Sequence, residues 1–224
     1  MASRFRAGAG IDVRTDVRTD VRTDVGTDVG TDVGIVVPLR SFIVAKARLA
    51  TVLTESEREE LARSMATRVV EAAGAIPVAV VTSAPEVVAW ARSLGLDLID
   101  DPGSLDGAAG AGRAWALDRG FTRYTVAHAD LPLARSFEGV IGDGGAAVAV
   151  IVPDHRDDGT PVLSLPVEVP FRFAYGPGSA SRHADEARRH SLAVRIVRDS
   201  ALGFDVDVAD DLAALEARRR TTAP

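Results

Sequence analysis

Cysteine is absent from all 224 residues, which removes disulfides, thiolate catalysis and any cysteine-based metal site from consideration. No apolar run approaches the roughly 18 residues that a membrane span requires. The first apolar run, Gly34–Leu39, lies too far along the chain to be the core of an amino-terminal signal peptide, so a cytoplasmic protein is expected. A broad basic surface is missing as well. Twenty-six Lys and Arg against 32 Asp and Glu leave a formal charge of −6, which argues against general nucleic-acid binding. Neither GxxxxGK[ST] nor GxGxxG occurs, so no P-loop or dinucleotide fingerprint is available. What is present has globular proportions, 46% hydrophobic and 26% charged, in a length that suits one sizeable domain.

That domain does not begin at the first residue. From Asp12 the chain repeats DVRT and then DVGT units as far as Gly34. Each unit offers one valine among polar residues, too little apolar surface to offset the entropy of ordering it. Asp, Val, Thr and Gly are also poor helix formers. Residues 1–33 are therefore expected to be a disordered extension, and residues 34–224 the folded domain.

Behind the repeat, short apolar runs alternate with helical patterns. Strands are expected at Ile35–Leu39, Val78–Thr82, Leu96–Ile99, Tyr124–His128, Ala147–Val152, Val162–Leu165 and Val194–Val197. Helices are expected at Glu55–Gly74, Pro85–Leu94, Leu105–Arg119, Ser179–His190 and Ala209–Arg219. Thr54 followed by Glu57 forms a capping box ahead of the first helix. Continuous apolar strands separated by helices indicate an α/β fold: a single three-layer, Rossmann-like domain with a mostly parallel sheet. Ligands of such sheets bind beyond the carboxyl ends of the strands, so the residues that follow strands carry the most information.

After the first strand, Arg40, Lys46 and Arg48 gather three cations of the kind a polyphosphate needs, although an isolated charge cluster is equally a solvated face. After the fourth, Asp130 precedes the chain-breaking Pro132. It is placed either to hold Mg²⁺ together with substrate phosphates or simply to cap a turn. His128, two residues earlier, reads as a packed strand-end histidine rather than a base. Near the carboxyl terminus Asp205 and Asp207 stand two apart, on one side of an extended segment, ahead of a helix opened by Asp210 and Asp211. Thr160 follows Gly159 in a polar loop before a short strand. Gly176-Pro177-Gly178-Ser179 runs directly into a polar helix. Its amides could receive an anion that glycine lets approach closely, or Ser179 could be an ordinary N-cap.

Taken in order, "AKARL", "VVTSAPEV", "ADLPL", "FRFAYGPGSASRH" and "DVDVADDL" resemble the guanylyltransferases of coenzyme F-420 biosynthesis. The likeness covers about residues 34–215. It implies a single nucleotidyltransferase-type domain related to the molybdenum-cofactor guanylyltransferases. The implied activity transfers GMP from GTP to phosphoenolpyruvate or 2-phospho-L-lactate, with release of pyrophosphate and with Mg²⁺ as cofactor.

Carried over residue by residue, the resemblance assigns the phosphorylated acid to Thr160, Gly176 and Ser179. It assigns the metal to Asp130 and, of the later pair, Asp207. Lys46 and Arg48 become the catalytic cations facing the triphosphate, with Arg40, Thr82 and Asp106 completing the nucleotide site. A homodimer is compatible with it, and neither nucleic acid nor membrane is implied as a partner. Three motifs depart from the family pattern: Gly-Thr-Asn reads Gly159-Thr160-Pro161, Gly-Leu-Asn reads Ser104-Leu105-Asp106, and Pro-Val-Lys reads Pro38-Leu39-Arg40. Two other readings stay open on sequence alone. One is a transferase of the same fold with a sugar phosphate or molybdopterin acceptor; the other is a non-catalytic relative that only binds ligand.

Overall fold

A computed structural model describes residues 32–141 and 147–222. Seven strands form one sheet: β1 (Val33–Pro38), β2 (Val78–Val81), β3 (Asp97–Ile99), β4 (Arg123–Ala127), β5 (Val148–Val152), β6 (Val162–Pro166) and β7 (Ala193–Ile196), in the order β3-β2-β1-β4-β6-β5-β7. All pairings are parallel except those of β6, which runs antiparallel to β4 and β5. The helices are α1 (Glu55–Ala73), α2 (Pro85–Ser93), α3 (Leu105–Asp118), α4 (Glu138–Ile141), α5 (Ser179–Arg189) and α6 (Ala209–Thr222), with a 3₁₀ turn at Ala47–Leu49. Each expected strand and helix is present with its ends moved by a residue or a few. The four-residue α4 and the 3₁₀ turn are additions. The amino-terminal repeat lies outside the described residues apart from its last few positions, and β1 already includes Val33.

Both faces of the sheet are covered, as continuous apolar strands require. Along β1, Ile35 and Val37 pack on one side with Val69, Ala72 and Ala73 of α1. Val36 points to the other, into the cluster that holds Ala108, Ala109 and Ala116 of α3, and Ala184 and Ala187 of α5 extend the same cluster over β5 and β7. Small residues on those two helices let them lie close to the sheet. Helix α1 starts where the sequence placed it, with Thr54 accepting from the Glu57 amide and Glu57 accepting from the Thr54 amide. Because β6 is antiparallel, its beginning lies at the same edge as the end of β4: Val162 is registered with Ala127, and the His128 amide donates to the Pro161 carbonyl at 2.8 Å. That pairing carries Thr160 to the carboxyl edge of the parallel strands.

Candidate active site

Two constellations meet at this edge. The first is built on Lys46, at the start of the 3₁₀ turn. Its side chain is 9% exposed, and Nζ donates to Asp130 Oδ2 at 2.5 Å and to Asp207 Oδ1 at 2.9 Å. Burial pulls the ammonium pKa down, but the charges of Asp130 and Asp207 and their hydrogen bonds outweigh it, and the net shift is upward. Asp130 shows the converse: burial pushes its carboxyl up, Lys46 more than compensates, and the net shift is downward. Lys46 and Asp130 are therefore both held as ions. Lys46 holds left-handed backbone angles, φ 56° and ψ 37°, which a non-glycine residue adopts only when its surroundings demand it.

Asp205 joins the edge of this cluster. Its carboxyl lies 3.2 Å from His155 Nδ1, and burial followed by the charges of Asp130 and Asp207 raises its pKa. Asp211 accepts from the amides of Asp207 and Val208 and pairs with Arg156 at 2.5 Å, so it caps α6 rather than facing the cluster. The Oδ1 atom of Asp130 is buried without a hydrogen-bond partner among the described residues. Mg²⁺ takes one or two carboxylates and completes its shell from substrate phosphates and water. Asp130 and Asp207 have the chemistry to supply those two carboxylates, although the described residues gather no group of three or more metal-ligating side chains.

The second constellation stands on the loop before β6 and the turn into α5. Asp154 accepts from the amides of Arg156, Asp158 and Gly159 and so folds the first loop. Asp158 then ties it to the second: its side chain accepts from Gly178 N–H at 2.8 Å and its carbonyl from Ala180 N–H at 3.1 Å. Gly176 and Gly178 have φ of 103° and 74°, angles that L side chains rarely adopt. Gly178, not Ser179, is the N-cap of α5. The Ser179 hydroxyl is thereby released from capping and lies 3.0 Å from Thr160 Oγ1, both groups buried. His183, one helical turn on from Ser179, reaches Thr160 Oγ1 with Nδ1 at 3.1 Å and accepts the Ala174 amide on Nε2 at 3.1 Å. Arg182 closes the turn from outside by donating to the carbonyls of Ala174, Tyr175, Gly176 and Pro177.

Beside these groups lies a cavity of about 460 Å³ bordered by Leu39, Arg40, Lys46, Met65, His128 and Asp130. A smaller one of about 250 Å³ shares Arg40 and Leu105 with it and continues to Asp101, Gly103 and Ser104. Arg40 stands at their junction, paired with Asp101 at 3.4 Å and donating to the Gly103 carbonyl. The cavities themselves are bordered by Arg40, Lys46 and Asp130, while the buried hydroxyls of the turn stand at the same sheet edge without lining them. That edge has the parts to balance a polyphosphate on one side and to receive a small anion on the other.

Comparison with known proteins settles the family. The model of the CofC-like guanylyl transferases matches residues 33–218. The chain belongs to this family. A phosphoenolpyruvate guanylyltransferase of Rubrobacter xylanophilus is 37% identical over 191 residues, covering 81% of this chain and 92% of that protein. A 2-phospho-L-lactate guanylyltransferase of Methanothermobacter thermautotrophicus is 28% identical over 186 residues, covering 79% and 81%. Among solved structures, one described as a nucleotide-diphospho-sugar transferase of Desulfovibrio desulfuricans superposes with a TM-score of 0.71 at 17% identity, over 86% of this chain and 90% of that one. It shares the fold.

Set against this CofC-like family, the structure brings together Lys46, Asp130 and Asp207 in one cluster and Thr160, Gly176 and Ser179 in the other, and puts Arg40 on the cavities. Three expected nucleotide residues do not line these two cavities. Arg48 is exposed beyond Lys46 in the 3₁₀ turn and borders neither cavity. Thr82 is buried, with its hydroxyl accepting from Ala84 N–H at 3.2 Å, and serves the turn into α2. Asp106 accepts the Tyr175 amide at 2.8 Å and so anchors the turn ahead of α5. Asparagine, the family residue, could accept that bond equally well, so this departure leaves the loop's anchor intact. Sequence reasoning missed His183 and Arg182. The available signal was position: His183 follows Ser179 by four residues and so shares its helix face.

Proposed function

We propose that the chain transfers GMP from GTP to a small phosphorylated acid, phosphoenolpyruvate or 2-phospho-L-lactate, releasing pyrophosphate in the biosynthesis of coenzyme F-420. The observation that carries this reading is the meeting, at one sheet edge, of the Lys46–Asp130–Asp207 cluster and the buried Thr160–Ser179 hydroxyl pair. Membership of the family supports it, as do the names of both relatives.

In this reading the triphosphate lies along Arg40 and Lys46, and the guanosine extends toward Ser104 and Asp101. The acceptor's phosphate sits at the start of α5, against Thr160, Ser179 and the open backbone at Gly176. One of its oxygens attacks the α-phosphorus of GTP in line with the departing pyrophosphate: the new P–O bond forms as the α–β bridge breaks. The phosphate is already anionic near neutral pH, so no side chain need remove a proton. Catalysis is then alignment and charge balance, which this chain's residues supply. Lys46 neutralises charge on the nucleotide while Asp130 and Asp207 orient it. Mg²⁺ held by those two carboxylates would draw off the negative charge that otherwise keeps the two phosphates apart.

The test is pyrophosphate release with GTP and Mg²⁺ against phosphoenolpyruvate, 2-phospholactate and 3-phosphoglycerate in turn. Release that requires both GTP and one of these acids is expected. Release with none of them, but with a sugar phosphate, would move the acceptor to another class while keeping the transfer.

A further inference from the structure

We infer that His183 is a positioning residue for the acceptor: locked by the Ala174 amide, it holds Thr160 Oγ1 with an N–H and offers the Thr160–Ser179 pair no acceptor, so that one of their two hydroxyl protons is left to meet an anionic oxygen. The inference rests on the proposed reading of this turn as the phospho-acid site.

The argument is a count of donors. A backbone N–H can only donate, so the Ala174 amide, 3.1 Å away, requires His183 Nε2 to be a bare acceptor. The ring proton of the neutral imidazole must then be on Nδ1, which faces Thr160 Oγ1 at 3.1 Å and donates to it. Thr160 and Ser179 hold two hydroxyl protons between them. One is consumed in their own 3.0 Å contact. The other cannot return to His183, because the nitrogen facing it is itself a donor. It is left for a ligand. With the opposite tautomer that proton would be taken by Nδ1, and the pair would present only lone pairs, which repel a phosphate. Burial also keeps the ring neutral, since it lowers the His183 pKa to about 4. The ring is fully buried and is held edge-on by Tyr175, with centroids 4.8 Å apart, and by Phe173 at 6.4 Å. Rotating it would break both hydrogen bonds together.

A packing histidine would make the same ring contacts without caring where its proton lies, and two measurements separate the cases. Long-range ¹H–¹⁵N spectra of the full chain at neutral pH are expected to show His183 protonated on Nδ1; protonation on Nε2 overturns the inference. In steady-state kinetics His183→Leu removes the Nδ1–H that holds Thr160 Oγ1 in place, while His183→Asn keeps an amide donor near the Nδ1 position. With Thr160 Oγ1 no longer held, the hydroxyl pair loses its alignment on the charged oxygen, a bond worth enough that His183→Leu should raise the phosphoenolpyruvate KM at least about tenfold. The GTP KM should stay within about twofold, and His183→Asn should recover most of the loss. Equal losses for both substrates, or no recovery in His183→Asn, overturn the inference. Should the wild type release no pyrophosphate with any phospho-acid, the reading of the site fails, yet the spectrum and a calorimetric titration with inorganic phosphate still decide the donor count. Tighter phosphate binding by the wild type than by His183→Leu supports it, and equal binding overturns it. If His183→Leu does not fold, the spectrum and His183→Asn carry the test.

Discussion

Lys46 keeps left-handed backbone angles at a cost on the order of 1–3 kcal/mol, and its return is a cation held between two carboxylates at the sheet edge. Asp130→Asn preserves the shape of that cluster and removes the charge. Turnover of GTP should fall at least about tenfold, ~1.4 kcal/mol in the barrier, with a higher Mg²⁺ requirement in a titration of rate against free metal. Normal turnover at limiting Mg²⁺ would reduce Asp130 to a turn residue. His183 gives the residue scale a pH signature. Burial lowers its pKa to about 4 from an ordinary 6.5, partly opposed by Asp106 and reinforced by Arg182 and His128. The unfolded chain therefore binds more protons between those values, and stability falls as pH drops through that window. The whole shift is worth about 3 kcal/mol. Chemical denaturation at pH 7 and pH 4.5 should show a steeper loss for the wild type than for His183→Asn. Parallel losses would mean that the ring titrates normally.

At the scale of elements, the turn into α5 is held by a guanidinium, two aspartates and His183. Arg182 spans four carbonyls between Ala174 and Pro177, while Asp106 fixes the Tyr175 amide and Asp158 fixes Gly178. Arg182→Ala should leave the sheet unchanged and loosen the turn. Hydrogen exchange at residues 174–180 should accelerate by an order of magnitude or more, and the acceptor KM should rise with it. Unaltered exchange would show that the two aspartates and His183 suffice. Gly176→Val tests the same turn through its backbone: its nearest obstacle is Arg182 Nη2 at 4.0 Å, so the cost comes from φ 103° and not from crowding. These contacts also mark how far the sequence could be read. Alternating apolar runs and capping signals made every strand and all the longer helices legible. Helix α4 is a single turn without a period, and the antiparallel course of β6 depends on pairings distant in sequence. The placement of Lys46, Asp130 and Thr160 near strand ends was legible from the strand pattern, and that of Ser179 and Asp207 from the helix starts beside them. Asp106 and Thr82 also stand near strand ends or helix starts, and only the contacts reveal that they brace turns. His183 was hidden because its role lies in which nitrogen faces a hydroxyl.

For the molecule as a whole, the question is where the fold begins. The DVRT and DVGT units carry one valine in four residues and cannot support a core of their own. The structural boundary is set by hydrogen bonds just before β1: the Asp32 carbonyl accepts from the amides of Thr122 and Arg123 at 2.9 and 3.2 Å and from the Thr122 hydroxyl at 3.1 Å. Val33 is buried as the first residue of β1 and pairs with Arg123. Removing residues 1–31 should therefore leave the melting temperature within about 2 °C of the full chain, a change of no more than ~1 kcal/mol for a domain of this size. Pyrophosphate release should be equally unaffected. Removing two residues more takes away the Asp32 carbonyl and the buried Val33 together. Burial of a valine alone is worth about 1.5–3 kcal/mol, so this shorter chain should melt lower by about 4 °C or more. Paired thermal melts of the two truncations decide the matter. A drop on removing residues 1–31 would give the repeat a part in the fold, and equal melting of both would place the first essential residue deeper in β1.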